Sequence, residues 1–175
     1  MQYRLGPEDT FPAAVHDVED VVKWVLKQSE KFDPSRVFIS GFSAGGNLAF
    51  ACSSLFPPAT FQTVLTFYPS VDPNNLTALE SGGTPFPAWL LLIFKQCYVS
   101  SNIDATDPRI SPYFAYSSRF SRNILIIAAS HNSLALEAER LAVKLREDAN
   151  RHVHEQMDKC DHGWDPWMET QVKGI

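Results

Sequence analysis

The clearest chemical signal in the chain is a serine that lies between two glycines. Residues 41–45 read Gly-Phe-Ser-Ala-Gly, a pattern in which a tight turn between a strand and a helix exposes the serine hydroxyl. A serine hydroxyl is a weak nucleophile until a base takes its proton, and that base is usually a histidine oriented by a carboxylate. The pattern therefore predicts that Ser43 attacks an acyl carbon.

His162 is the strongest candidate for the base among the five histidines. It lies on a loop directly after the last predicted strand, and it follows the serine in chain order, as the histidine does in hydrolases that use this turn. The other four lie on a predicted helix, around the start of a strand or beside the expected acid position (His16, His152, His154 and His131). Only His162 combines the chain order with a loop position.

The carboxylate of such a triad is expected on the loop after the apolar strand at 123–129. That loop reads Ser-His-Asn-Ser-Leu over 130–134. The first carboxylate after it is Glu137, which already lies inside the next predicted helix. The loop therefore offers an asparagine, Asn132, but no acid.

The elements that must position these residues alternate between strands and helices. Helices are predicted at 13–31, 44–55 and 134–148, and strands at 37–39, 61–68, 123–129 and 153–157. An irregular insertion at 72–115 contains an apolar helix candidate at 86–98, and 164–173 is a candidate terminal helix. This order is typical of the α/β class, a mainly parallel sheet with helices on both faces. Ligands of such sheets bind beyond the carboxyl ends of the strands, where Ser43, Asn132 and His162 fall.

Composition narrows the function classes. The 175 residues suit a single domain, and a net charge of −5 with no block of Lys or Arg argues against nucleic acid or anionic membranes as main partners. The three cysteines are far apart, and no Cys/His spacing suits zinc, which favours reduced thiols in a cytoplasmic protein. The first residues lack the apolar segment of a signal peptide, and the longest apolar run, 88–94, is too short to span a bilayer.

Further stretches, taken together with the serine turn, resemble one family. They are Tyr-Arg-Leu-Gly-Pro-Glu at 3–8 with Phe-Pro-Ala-Ala at 11–14, Gly-Phe-Ser-Ala-Gly-Gly-Asn-Leu-Ala at 41–49, Tyr68-Pro69 with Asp72, Ser111-Pro112, and His162-Gly163-Trp164. In this order they are similar to the hormone-sensitive-lipase-like branch of the α/β-hydrolases, the carboxylesterases of the alpha/beta hydrolase fold-3 type. The matches cover nearly the whole chain. They imply one α/β-hydrolase domain over 1–175, with 72–115 as a cap-like insertion.

The resemblance also implies a reaction, hydrolysis of carboxylic esters through an acyl-enzyme. Ser43 would attack, His162 would act as base and then as acid, and the backbone N–H of Ala44 would bind the oxyanion at the start of a helix. The substrate would be a small-molecule ester. One form of this function is an accessory esterase of specialised metabolism. No metal or organic cofactor is implied. The apolar stretch 85–94 either lines an acyl pocket or packs on the sheet.

The chain departs from the family pattern at the acid position. When Leu134 and Glu137 are aligned with the family's acid-bearing segment, Asn132 falls where the aspartate belongs. An asparagine can hydrogen-bond an imidazole, but it cannot stabilise the imidazolium by charge. Asp158 and Asp161 are nearby carboxylates that are candidates to replace the missing acid. A solvated loop charge is the simpler interpretation of Asp161.

A second departure concerns the start of the chain. Only two residues precede Tyr3, so the family's His-Gly-Gly-Gly oxyanion loop and its early strands would lie upstream. We therefore expect either a truncated or degenerate member or a fragment of a longer protein, in both cases with an exposed sheet edge through which a second copy of the chain can associate. Two functions stay open: an esterase, or a catalytically impaired homologue that binds a small molecule or a protein partner.

Overall fold

The sheet of the protein is parallel. The computed structural model describes residues 1–73, 75, 88–100, 102–147, 151–157 and 159–164. Within them four strands lie side by side in chain order: β1 (Phe38–Phe42), β2 (Thr63–Phe67), β3 (Asn123–Ala129) and β4 (Arg151–Met157). The helices are α1 (Ala13–Lys27), α2 (Ala44–Leu55), α3 (Ala88–Tyr98) and α4 (Leu134–Glu147). The predicted α/β class is confirmed.

Most predicted elements are present, with shifted ends. The bounds of α2 and β3 agree with the prediction, whereas α1 ends at Lys27 because a turn follows, in which the Lys31 N–H donates to the Gln28 carbonyl at 2.8 Å. β1 continues to Phe42, since its pairing with β2 extends that far. The predicted terminal helix, apart from Trp164, and the first residues of the predicted insertion helix lie outside the described residues.

One face of the sheet carries the hydrophobic core. Ile39, Val64 and Ile124 lie side by side in the strand register and are buried. α2 packs on β1 and β2, α4 packs on β3 and β4, and α1 packs on α2. The largest fully buried side chains in this cluster include Phe50, Phe120, Ile126, Leu141 and Leu145. This packing holds the ends of β1, β3 and β4, and hence the site, in a fixed relation.

The first strand forms an open edge of the described sheet. On the face opposite the core, Phe38 is 59% exposed and Phe42 is 47% exposed. Phe42 stacks on Phe67 with ring centroids 4.6 Å apart, so part of this face is covered by its own aromatic rings. The exposed edge expected from the sequence is therefore present in the part of the chain that the structure describes. No described helix has the length and apolar character needed to cross a membrane.

Candidate active site

Ser43 occupies a strained turn between β1 and α2. Its backbone has φ 51° and ψ −118°, a conformation that a residue with a side chain rarely adopts and that costs on the order of 1–3 kcal/mol. The turn is held from both sides, because the Ser43 N–H donates to the Phe67 carbonyl at 2.9 Å and the Asn47 N–H donates to the Ser43 carbonyl at 3.1 Å. The surrounding contacts thus keep the serine hydroxyl at the carboxyl end of β1.

The glycines around Ser43 allow the strand and the helix to approach closely. A Cβ atom on Gly41 would lie 2.1 Å from the carbonyl oxygen of Gly45, which is backbone and cannot move aside cheaply. A Cβ atom on Gly46 would lie 2.9 Å from the Cβ of Pro69. By contrast, a Cβ on Gly45 would meet nothing within 4 Å. The first glycine of the pattern is therefore the one that the packing of the turn requires.

The structure brings the three predicted side chains together. His162 Nε2 lies 2.8 Å from Ser43 Oγ, and His162 Nδ1 lies 2.7 Å from Asn132 Nδ2. The imidazole also packs against the ring of Tyr68, with centroids 4.7 Å apart. Both distances are within the range for hydrogen bonds, so a serine, a histidine and an amide form one continuous chain of contacts.

The orientation of the Asn132 amide decides which nitrogen of His162 carries the proton. Asn132 is only 6% exposed, and its Oδ1 accepts a hydrogen bond from the N–H of Leu134, the first residue of α4, at 3.1 Å. A backbone N–H can only donate, so it requires the amide oxygen and turns the NH₂ group towards His162. Because that NH₂ group also only donates, His162 Nδ1 must be unprotonated to receive it.

This tautomer has a direct consequence for Ser43. A neutral imidazole that accepts at Nδ1 carries its hydrogen on Nε2, so it donates to Ser43 Oγ and cannot take the serine proton. An aspartate at position 132 would avoid the conflict, since one oxygen would accept from Leu134 and the other from a protonated Nδ1. The sequence predicts that Asn132 weakens His162 as a base. The structural cause is the N–H of Leu134, which holds the amide oxygen and turns the NH₂ group towards His162.

The alternative carboxylate described by the structure makes a different contact. The side chain of Asp161 is 76% exposed, and its Oδ1 lies 3.6 Å from Nδ1 of His131. This agrees with the interpretation of Asp161 as a solvated loop charge. Asp158 lies outside the described residues.

The backbone N–H of Ala44 is placed at the start of a helix. Ala44 is the first residue of α2, and the first four N–H groups of a helix have no partner within the helix. The helix dipole adds partial positive charge at this end, which favours an oxyanion. Ala44 follows Ser43 directly, so this donor belongs to the same turn as the serine hydroxyl.

A cavity of about 500 Å³ opens beside the three side chains. Its volume is within the range of small-molecule sites, roughly 300–1,000 Å³. The lining includes Ser43, Asn132 and His162, residues of α3 (Leu92, Phe94, Lys95, Cys97 and Tyr98), the amino-terminal residues Tyr3 to Gly6, and Ser70, Asp72 and Glu137. α3 therefore lines the cavity, although Leu92 and Phe94 also remain partly exposed. Among the described residues, no group of three or more His, Cys, Asp or Glu side chains is placed to hold a metal ion.

Glu137 is a lining residue whose importance was not predicted from the sequence. Its carboxylate is 3% exposed and accepts hydrogen bonds from the N–H groups of Val71 at 2.9 Å and Asp72 at 3.1 Å. The pKa of Glu137 is raised to about 7, chiefly by burial and to a smaller extent by the nearby charge of Asp72, while hydrogen bonds from the Val71 and Asp72 N–H groups and from the Ser70 side chain act in the opposite direction. A signal was present, since Glu137 lies three residues after Leu134 and four before Leu141, on the apolar side of its helix.

The family model described as the alpha/beta hydrolase fold matches residues 1–165. The curated carboxylic ester hydrolase LipN of Mycobacterium tuberculosis is 34% identical over an alignment of 163 residues, and the match covers 83% of this chain and 43% of LipN. The neutral cholesterol ester hydrolase 1 of Bos taurus is 32% identical over an alignment of 117 residues, and the match covers 59% of this chain and 29% of that protein. This chain spans about half or less of the length of the curated relatives that it matches.

Solved structures agree with this similarity. An esterase from Pyrobaculum calidifontis superposes with a TM-score of 0.89 at 30% sequence identity, and the match covers 99% of this chain and 60% of that one. The likeness therefore extends over the sheet, the helices and the loops that carry Ser43, Asn132 and His162.

Proposed function

Because this chain belongs to the alpha/beta hydrolase fold family, we propose that it hydrolyses carboxylic esters and that Ser43 is its nucleophile. The observation that carries the proposal is the 2.8 Å contact between Ser43 Oγ and His162 Nε2 at a strained turn. Strain of this kind persists only where the surrounding structure maintains it, and it is typical of functional positions. The named relatives, which are ester hydrolases, support the same reaction class.

The proposed reaction has two halves. In the first, Ser43 Oγ attacks the ester carbonyl carbon, His162 takes the serine proton, and the N–H of Ala44 stabilises the negative oxygen of the tetrahedral intermediate. His162 then gives its proton to the alcohol oxygen as the C–O bond breaks. In the second half, water attacks the acyl-enzyme, and the same transfers release the acid and restore Ser43.

Asn132 sets the rate in this scheme. His162 accepts the serine proton only after its hydrogen moves to Nδ1, and the Asn132 amide must then turn its oxygen to His162. Turning leaves the N–H of Leu134 facing an NH₂ group, and an unsatisfied buried donor costs about 1–3 kcal/mol. We therefore propose a slow esterase. The comparisons do not support the alternative of a homologue that only binds a small molecule or a partner.

The cavity supports a substrate class, a small-molecule ester with an apolar acyl group. Leu92, Phe94 and Tyr98 of α3 supply apolar walls next to Ser43. Because the reaction as written needs only water and the side chains and backbone groups of this chain, we propose it without a metal or organic cofactor. A role as an accessory esterase of specialised metabolism and a cytoplasmic location remain predictions.

A fluorophosphonate probe tests the proposal, because it forms a covalent bond only with an activated serine. We expect the purified chain to be labelled slowly, and labelling to be lost in Ser43→Ala and strongly reduced in His162→Ala. Hydrolysis of a short p-nitrophenyl ester should follow the same order. Absence of labelling in folded protein, or equal labelling of Ser43→Ala, would refute Ser43 as the nucleophile.

A further inference from the structure

We propose that Glu137 is a positioning residue that holds the loop after β2 against α4 and thereby sets the alignment of His162 with Ser43. The proposed reaction gives this alignment its purpose, so the inference rests on the proposed function. Glu137 acts through the backbone of Val71 and Asp72, whose N–H groups its carboxylate binds directly.

The contact of Glu137 with this loop is made by both carboxylate oxygens. Oε1 accepts from the N–H of Val71 and Oε2 accepts from the N–H of Asp72, at 2.9 and 3.1 Å. The two donors are consecutive in the chain, so the carboxylate fixes both the position and the direction of the loop. Burial of a carboxylate costs several kcal/mol, which these two N–H groups and the side chain of Ser70 offset only in part. A carboxylate at a core-facing position of the helix, with both oxygens bound by loop donors, favours a role in holding this loop.

The other side of the same loop is tied to the nucleophile helix. Nδ2 of Asn47 donates to the carbonyl of Ser70 at 2.9 Å and to the carbonyl of Ile110 at 2.8 Å. Asn47 lies one turn after Ser43 on α2, and its own N–H donates to the Ser43 carbonyl. The loop therefore sits between α2, which carries the nucleophile, and α4, which carries Glu137.

These contacts close a ring through the active site. From Ser43 it passes along α2 to Asn47, through Ser70 to Asp72 to Glu137, and back along α4 to Leu134. The N–H of Leu134 holds the oxygen of Asn132, whose NH₂ group contacts His162, and His162 returns to Ser43. Because every link is a hydrogen bond, one helical turn or a short run of backbone, we expect a displacement of α4 at Glu137 to move Asn132 relative to Ser43.

The test compares Glu137→Gln with Glu139→Gln. Glutamine keeps the size of the side chain, but it offers one acceptor and turns an NH₂ group towards the second loop donor. Glu139 lies on the same helix and is exposed, so its replacement controls for the loss of a helix charge. We expect Glu137→Gln to lower kcat about tenfold or more at nearly unchanged KM, since small misplacements at a reacting centre cost up to about a hundredfold. Glu139→Gln should leave both constants unchanged.

A second readout does not depend on turnover. The ring ¹⁵N resonances of His162 report its tautomer and its hydrogen bonds, and they can be measured whether or not the chain hydrolyses esters. We expect them to shift in Glu137→Gln and to stay unchanged in Glu139→Gln. Glu137→Asp, which keeps the charge but shortens the side chain by one CH₂, should shift them too and serves if the glutamine variant does not fold.

The outcomes separate the two proposals. If wild type shows no labelling and no hydrolysis, the proposed function fails, and the His162 spectrum still decides the role of Glu137. If the His162 resonances in a folded Glu137 variant match those of wild type, Glu137 is a structural residue only and this inference is overturned. Loss of stability with an unchanged His162 spectrum would overturn it in the same way.

Discussion

The two sides of the candidate site, the turn at Ser43 and the loop at Asn132, are both fixed by surrounding contacts, but only the turn carries the residue type that a triad requires. At the turn, glycine packing and a strained backbone place a hydroxyl beside His162. At the loop, a buried side chain is held by a backbone N–H and contacts the same imidazole from the other side. The geometry suits a triad on both sides, but the NH₂ group of Asn132 places the imidazole hydrogen on Nε2, so the hydrogen bond to Ser43 runs in the wrong direction for proton removal. Placement and charge are therefore separate requirements of such a site.

The largest effect should come from repairing the acid side. We expect Asn132→Asp to raise kcat of ester hydrolysis by about 10² to 10⁴, because it restores both the charge and the tautomer; the reverse change in a serine protease costs about 10⁴. Initial rates on a short p-nitrophenyl ester measure this. Asp161→Asn, which alters an exposed loop charge, should leave the rate unchanged. No gain in Asn132→Asp would mean that another group orients His162.

The next largest effect should come from damaging the serine side. In Gly41→Ala the new Cβ meets the backbone of Gly45, so we expect a loss of about 3 kcal/mol in the free energy of unfolding and weaker fluorophosphonate labelling. Gly45→Ala is the matched control, because its Cβ has open space and alanine favours helices by up to about 1 kcal/mol over glycine. Urea denaturation of both variants measures the difference. Equal destabilisation would show that the packing of the turn does not select its first glycine.

The buried carboxylate of Glu137 should make the free energy of unfolding depend on pH. Its pKa is raised to about 7 in the folded chain, from an ordinary value near 4.5, so the folded state binds more protons between these values. The contribution of Glu137 to the free energy of unfolding is therefore most favourable below about pH 4.5. It is lost as the pH rises through 7, and the loss is at most about 3 kcal/mol. Asp72 is the charged neighbour that acts in the same direction.

Urea denaturation at pH 5 and pH 8 measures this dependence. The free energy of unfolding should fall more steeply with pH in wild type than in Glu137→Gln, which has no proton to lose. The same slope in both proteins would contradict the assignment of the raised pKa to Glu137.

The smallest effect concerns β1, the strand that leads into the serine turn. Its open edge and the exposed ring of Phe38 predict weak association of two copies, which would appear as a concentration-dependent mass in analytical ultracentrifugation. Phe38→Lys should reduce the association, while Tyr116→Lys, at an exposed ring elsewhere, should not. If the mass of wild type does not depend on concentration, association of two copies through β1 is refuted.

Much of the fold and the main site residues follow from local patterns. The apolar spacing of α4 and the continuous apolar run of β3 predict those elements closely, because burial on a helix or strand imposes its own period. Ser43 and His162 were predicted as partners from their positions after strands, and the structure places them in contact. Element ends such as that of α1 were less accurate, since capping and turn contacts decide them.

The class of the fold, the serine turn and the asparagine at the acid position can all be read from the sequence, because they depend on residue types within a few positions of one another. The direction of the Asn132 amide and the contact made by Glu137 are defined only in the folded chain. Asn132 meets a histidine 30 residues away, and Glu137 meets a loop 66 residues away. Hydrogen bonds have direction as well as distance, so their donors and acceptors are assigned only when folding brings distant backbone groups together.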